Sequence, residues 1–108
     1  MNRGELWTAT GGVYASKRRP VLIIQDDRFA GTDSVVVIPL TTQQVDAPLT
    51  RVPIAANDLS GIEHDSFAMV DKITTIRRSQ LGARAGRSTP TQMVDVERAL
   101  MVFLGLAG

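Results

Sequence analysis

Arg19 and Thr41 are the two residues whose types and placement suit a chemical step. Arg19 sits before Pro20 in RRPVLII at 18–24, and Thr41 closes SVVVIPLTT at 34–42. Val, Ile and Leu fill the middle of both runs, so each reads as a buried strand. Proline has no N–H to give a ladder, which places Pro20 at the start of its strand. If the two strands form an antiparallel hairpin, the start of one lies beside the end of the other. Arg19 then stands next to Thr41. A planar guanidinium beside a hydroxyl, with no acid between them, suits a phosphate. Arginine stays protonated in water, so it serves as a fixed charge rather than a base.

Other polar residues cluster around this pair in sequence. Lys17 and Arg18 precede Arg19, and Thr42 and Gln43 follow Thr41. Asp71 and Lys72 lie in VDKITTI, and Arg77 and Arg78 follow it. Outside this context, a KRR triplet or an Arg pair at a strand end is most often a solvated patch. His64 is the sole histidine, which excludes a two-histidine ribonuclease mechanism within one chain. Asp58, His64 and Asp65 lack a recognisable ligand spacing, so no metal and no cofactor are expected. Asp26 and Asp27 are neighbours in a turn and read as solvated. Tyr14, the sole tyrosine, suits either stacking on a base or packing on a rim.

The elements that must position these residues are short. Strands are expected over 4–10, 19–25, 35–42, 49–54 and 67–76, with a further short one over 83–88. Pro48 and Pro53 suit a fourth strand only at an edge of the sheet or at the strand's own ends. The stretches 11–17, 26–34 and 55–66 read as loops, rich in Gly, Asp and Ser. The end of the chain changes period. Thr89 can cap a helix, Pro90 suits its first position and Gln92 completes a capping box. Met93, Val96, Leu100 and Phe103 then recur on one face, and Gly105 is placed to end the helix. Several short strands followed by one helix give a mainly β, β-rich α+β fold: a small barrel with a C-terminal helix.

With 108 residues and no linker or repeat, residues 1–108 read as a single domain. The absence of cysteine excludes a disulfide framework, a thiolate metal site and a Cys nucleophile. MNRGELW is polar and no run approaches the roughly 20 apolar residues that span a bilayer, so a cytoplasmic protein without membrane contact is expected. The net charge of +1 conceals segregation. Residues 1–24 carry +3, residues 25–71 carry −6, residues 72–87 carry +5 and residues 88–108 carry −1. If the fold joins the two basic blocks, it creates a local positive face on a nearly neutral protein.

The chain resembles the MazF/PemK-like toxins. The resemblance rests on RGELW at 3–7, RRPVLII at 18–24, VVVIPLTT at 35–42, DSFAMVDKITTI at 65–76 and LGARAGR at 81–87, taken in this order. It implies an SH3-like barrel, usually homodimeric, that cleaves single-stranded RNA without a metal. It also implies a cognate antitoxin as partner, with DNA reached only through that antitoxin. In that frame Arg19 and Thr41 match the catalytic arginine and hydroxyl. Lys17, Arg18, Thr42, Gln43, Asp71, Lys72, Arg77 and Arg78 become RNA contacts. Two departures bear on specificity. Lys72 and Thr74 stand where relatives often carry Gln and Arg, and GGVYASK at 11–17 lacks the Ser-Glu-Gln motif of longer loops. Two other readings stay open on the sequence: a CcdB-like toxin that binds DNA gyrase on the same fold, and an SH3-like interaction module without activity.

Overall fold

The two central strands are apolar through their middles because both of their faces are covered there. In the computed structural model, which describes residues 1–10 and 18–106, β2 (Arg19–Ile23) and β3 (Ser34–Thr41) pair antiparallel. Leu22, Ile38 and Leu40 face a core shared with Leu6, Val52, Ile54, Ala68, Val70 and Val96. Val21, Ile23, Val35 and Val37 face a second cluster, covered by Trp7, Ile76 and Leu81. A strand buried on both sides loses the polar alternation of a half-exposed strand, hence the runs VLI and VVVIPL.

The remaining strands are β1 (Glu5–Ala9), β4 (Arg51–Ile54), β5 (Ser66–Met69), β6 (Thr74–Arg77) and β7 (Leu81–Arg87). The hydrogen-bonded path runs β4-β5-β3-β2-β1-β7, and β6 pairs with β3 beside β5. All the pairings are antiparallel. The stretch expected as one strand over 67–76 is instead two, β5 and β6, separated by a 3-10 turn at Val70–Lys72. The turn forms where Asp71 is drawn to Arg51, with Nε–Oδ1 and Nη2–Oδ2 distances of 3.0 and 3.4 Å.

Strand pairing does not close the expected barrel among the described residues; the 55–65 loop spans the gap beside β7. Arg87 N–H donates to Leu59 O at 2.9 Å. At Gly61, whose φ is +67°, a Cβ would meet Ala85 O at 1.9 Å, and one on Gly86 would meet Leu59 O at 2.2 Å. Only two glycines let these backbones touch. Loop and strand therefore seal the side of the curled sheet that hydrogen-bonded strands leave open.

The helix α1 (Pro90–Phe103) starts as its sequence requires. Thr89 Oγ1 accepts from Gln92 N–H at 3.0 Å, and Gln92 Oε1 accepts from Thr89 N–H at 2.7 Å. It ends in a Schellman turn: Gly105 at φ +72°, with Leu106 N–H donating to Met101 O and Gly105 N–H to Val102 O. Val96 is fully buried, and Met93, Ala99 and Leu100 pack around the main core. Phe103, expected on that face, is instead exposed, together with Met101, Val102, Leu104 and Leu106. The core contacts of this 14-residue helix end at Leu100, and its last turn is left exposed.

At the opposite end of β1 from Arg19, Glu5 ties the outer face of β1 to β7. Burial alone would raise its pKa. The Asn2 N–H, Trp7 Nε1 at 3.1 Å and the Arg84 guanidinium at 2.9 Å outweigh that and hold the carboxyl below its ordinary value.

Candidate functional site

The register of β2 against β3 decides where the chemistry-bearing residues meet. Val21 lies opposite Pro39 and Leu22 opposite Ile38, so continuing the ladder by two residues sets Arg19 opposite Thr41. Both line a cleft of about 560 Å³ whose wall is completed by Gln43, Arg51, Lys72 and Thr74, over a floor of Pro39, Met69 and Ile73. The hairpin supplies two of these groups from adjacent strand ends. The 3-10 turn supplies Lys72 by halting β5 before it runs past the cleft.

Thr41 is held in a defined state. Its Oγ1 accepts the Gln43 N–H at 3.1 Å. With that lone pair engaged, the hydroxyl proton can be donated into the cleft. Arg51 is only 14 % exposed at its side chain, and the Nε–Nη2 edge of its guanidinium meets both carboxylate oxygens of Asp71. The pair is a fork on a carboxylate, the geometry arginine holds best. Asp71 thus braces Arg51, and its carboxylate is occupied by that contact. Arg19, Arg51 and Lys72 bring three cations to the cleft wall, and no described residue lining it is acidic. A polyanion is the ligand such a wall favours.

Neighbouring residues in a strand face opposite sides, which divides the expected contacts. Arg18 and Thr42 turn away from Arg19 and Thr41 and line a second cleft. Lys17 and Tyr14 lie outside the described residues. Arg77 and Arg78 are not brought to the site. Arg77 pairs with Ser34, at the far end of β3 from Thr41, roughly 20 Å along the strand. The Arg78 guanidinium hydrogen-bonds the carbonyl and hydroxyl of Thr32. Because β6 is antiparallel to β3, the residues after Thr74 move away from the cleft. Arg51 is the contributor that sequence reading missed. Its available signal was being one of only two cations, with Arg28, in the acidic block 25–71. Among the described residues no group of three or more His, Cys, Asp or Glu could hold a metal ion.

Comparison with known proteins places this geometry. Residues 2–104 match the family model described as PemK-like, MazF-like toxin of type II toxin–antitoxin system. The chain belongs to the PemK/MazF toxin family. One relative, a probable endoribonuclease MazF of Mycolicibacterium smegmatis, is 52 % identical across the whole of both chains. Endoribonuclease EndoA of Bacillus subtilis is 35 % identical over 82 % of this chain and 77 % of its own. A solved structure described as an endoribonuclease in complex with its cognate antitoxin, from a mycobacterial species, superposes with a TM-score of 0.84. It is 28 % identical and covers 100 % of this chain and 98 % of its own. The mainly β sheet with one C-terminal helix is thus the fold of MazF structures. No helix among the described residues is long and apolar enough to cross a membrane.

Proposed function

We propose that this PemK/MazF-family chain is the toxin of a type II toxin–antitoxin pair, an endoribonuclease that cuts single-stranded RNA in the cytoplasm. The observation that carries the reading is Arg19 opposite Thr41 in a cleft walled by cations. Relatives named as endoribonucleases support it, and the mycobacterial complex supports an antitoxin as partner. The same family match disfavours the gyrase-binding and inactive-module readings.

The reaction needs few parts. The ribose 2′-OH loses its proton as O2′ bonds to the adjacent phosphorus. The P–O5′ bond breaks, and the leaving O5′ gains a proton. The products are a 2′,3′-cyclic phosphate and a 5′-hydroxyl end. Charge accumulates on the phosphoryl oxygens at the pentacoordinate stage. Arg19 neutralises it, and the Thr41 hydroxyl donates to a non-bridging oxygen. Lys72 and Gln43 hold the strand on either side. This chemistry is complete without a metal or cofactor, so cleavage persists in EDTA. The deciding test is an RNA carrying one 2′-deoxy nucleotide at a mapped cut site. That bond resists cleavage while other sites are cut. Cutting at the deoxy position refutes the 2′-OH mechanism.

The second cation test separates the cleft from the far end of β3. Each phosphate neutralised by a protein cation adds about −0.7 to the salt slope of single-stranded binding. Lys72→Gln is expected to make the slope shallower by about that amount. Arg77→Gln is expected to leave it unchanged. The reverse pattern, measured by anisotropy across a salt series, would move the RNA path to the β3–β6 edge.

The exposed end of α1 is assigned to a second copy of the chain. Met101, Val102, Phe103, Leu104 and Leu106 are each 45–70 % exposed and fall within six consecutive residues. A groove of about 320 Å³ runs beside them, between Ala99 and Val102 on the helix and Leu49 and Pro53 across from it. Arg51, Asp95 and Arg98 also line that groove, and an apolar knob next to a groove of mixed polarity on one surface can serve both halves of a two-fold contact. Analytical ultracentrifugation at micromolar concentration is expected to show a dimer, and Phe103→Glu to shift it to monomer. A monomeric wild type overturns this assignment.

A further inference from the structure

The second cleft, on the other side of the β2 and β3 ends, has a built shape that the catalytic pair does not use. It encloses about 430 Å³ and is lined by Arg18, Thr42 and His64 on its rim, with Pro20, Ile62 and Ala85 as apolar surface. Its wall is rigid for reasons visible in the chain. Gly61 locks the loop against Ala85 of β7, where no side chain fits. The buried Ser66 donates its hydroxyl to the His64 carbonyl at 2.8 Å. Asp65 Oδ1 accepts the Ala56 N–H at 2.7 Å. His64 is thus an exposed residue on a pinned loop, held at its own carbonyl and at Asp65. Across from it, the Arg18 guanidinium extends along β7, with Nη1 3.7 Å from where a Gly82 Cβ would be.

We propose that this cleft is a second nucleotide subsite, which takes a base and phosphate flanking the cut on the same RNA. The proposal rests on the endoribonuclease reading of the Arg19–Thr41 cleft. Arg18 is adjacent to Arg19 and Thr42 to Thr41, so the two clefts are separated only by the tips of two paired strands. A flexible polynucleotide crossing those tips meets Arg19 with one phosphate and Arg18 with a neighbouring one. The space suits a nucleoside, being a few hundred cubic ångströms with apolar surface and a polar rim. A base has two apolar faces for Ile62 and Pro20 and polar edges for the Thr42 hydroxyl and the Glu63 carboxylate, which lies on the same rim. The His64 ring offers a stacking face, the sequence-tolerant way in which proteins hold single strands. His64, read from sequence alone as a surface residue, thereby becomes a determinant of which RNA positions beside the cut are sensed.

The test uses the full-length protein and four RNAs built around one mapped cut site, each with a 2′-deoxy nucleotide there to prevent turnover. One is the shortest RNA that the enzyme cleaves in its unmodified form. Two others extend it by two nucleotides, at the 5′ or the 3′ end, and the fourth carries abasic residues in the favoured extension. For the wild type, one extension is expected to tighten Kd about tenfold, and the abasic form to lose most of that gain. In His64→Ala the gain is expected to fall below about threefold, and in Arg18→Gln it is expected to fall as well. Circular dichroism checks that the variants are folded. A gain that survives in His64→Ala overturns the subsite, as does the absence of any gain from either extension. A wild type that cleaves none of the unmodified RNAs overturns the endoribonuclease reading itself, a different result from cleavage without an extension effect.

Discussion

Arg19→Ala is expected to cleave RNA about 10²–10³-fold more slowly in single turnover, with circular dichroism unchanged and affinity for 2′-deoxy RNA reduced far less. The magnitude is that of removing one preorganised donor from a charge-stabilising site. The asymmetry follows from when the charge appears. The ground-state phosphate already carries one negative charge, and more density gathers on its oxygens as O2′ approaches. A guanidinium fixed there stabilises the later state more than the earlier one. The fold is spared because Arg19 is an exposed residue at the first position of β2, and the core begins at Val21. Arg19→Lys is expected to recover only part of the rate, since an ammonium lacks the planar fork. Thr41→Val, which removes the hydroxyl at nearly constant shape, is expected to lose less than Arg19→Ala. A near wild-type rate in Arg19→Ala sinks the proposed site, whatever the fold.

The second large effect concerns stability. Gly61→Ala is expected to lower the melting temperature by 10 °C or more. Two costs combine. A β-carbon at φ +67° is strained by about 1 kcal/mol or more, and the new atom would lie 1.9 Å from the Ala85 carbonyl oxygen, which is backbone and cannot rotate aside. The loop must leave β7, and the seal beside that strand is lost. For a domain of this size each kcal/mol shifts the melting temperature by roughly 4–8 °C. Gly31→Ala is the control, because nothing lies within 4 Å of its Cβ position. It is expected to melt within about 3 °C of wild type. Differential scanning calorimetry decides the matter, and equal melting temperatures for the two variants would show that the close approach carries no energy.

What the sequence made legible was local or followed from pairing rules. The apolar runs of β2 and β3, Pro20 at a strand start and the Thr89–Gln92 box each have a short-range cause, and each appears where expected. The Arg19–Thr41 pairing needed only the antiparallel hairpin assumption, because ladder register then follows by counting. What stayed hidden depended on partners distant in sequence. The break between β5 and β6 comes with an ion pair from Asp71 to Arg51, 20 residues away. VDKITTI is dominated by β-favouring residues, and its Asp71–Lys72 pair alone does not fix a turn. The displacement of Arg77 and Arg78 follows from the direction of β6, which that break sets. The exposure of Phe103 reflects the width of the sheet beneath α1, a global quantity. Helical periodicity identified the face correctly but could not tell how far along it the core extends.

The covering of β2 and β3 on both faces has a consequence for how the protein fluctuates. Amide protons in these strands exchange with solvent only when the domain opens as a whole, whereas loops and helix ends open locally at far lower cost. Hydrogen–deuterium exchange should therefore find the slowest amides at Leu22, Ile23, Val37 and Ile38, three or four residues from Arg19 and Thr41. The proposed Arg19–Thr41 pair sits at the ends of these two strands. A toxin whose reactive pair is mounted this way is expected to need no refolding on release from an antitoxin, so that the speed of its awakening equals the rate at which the partner dissociates.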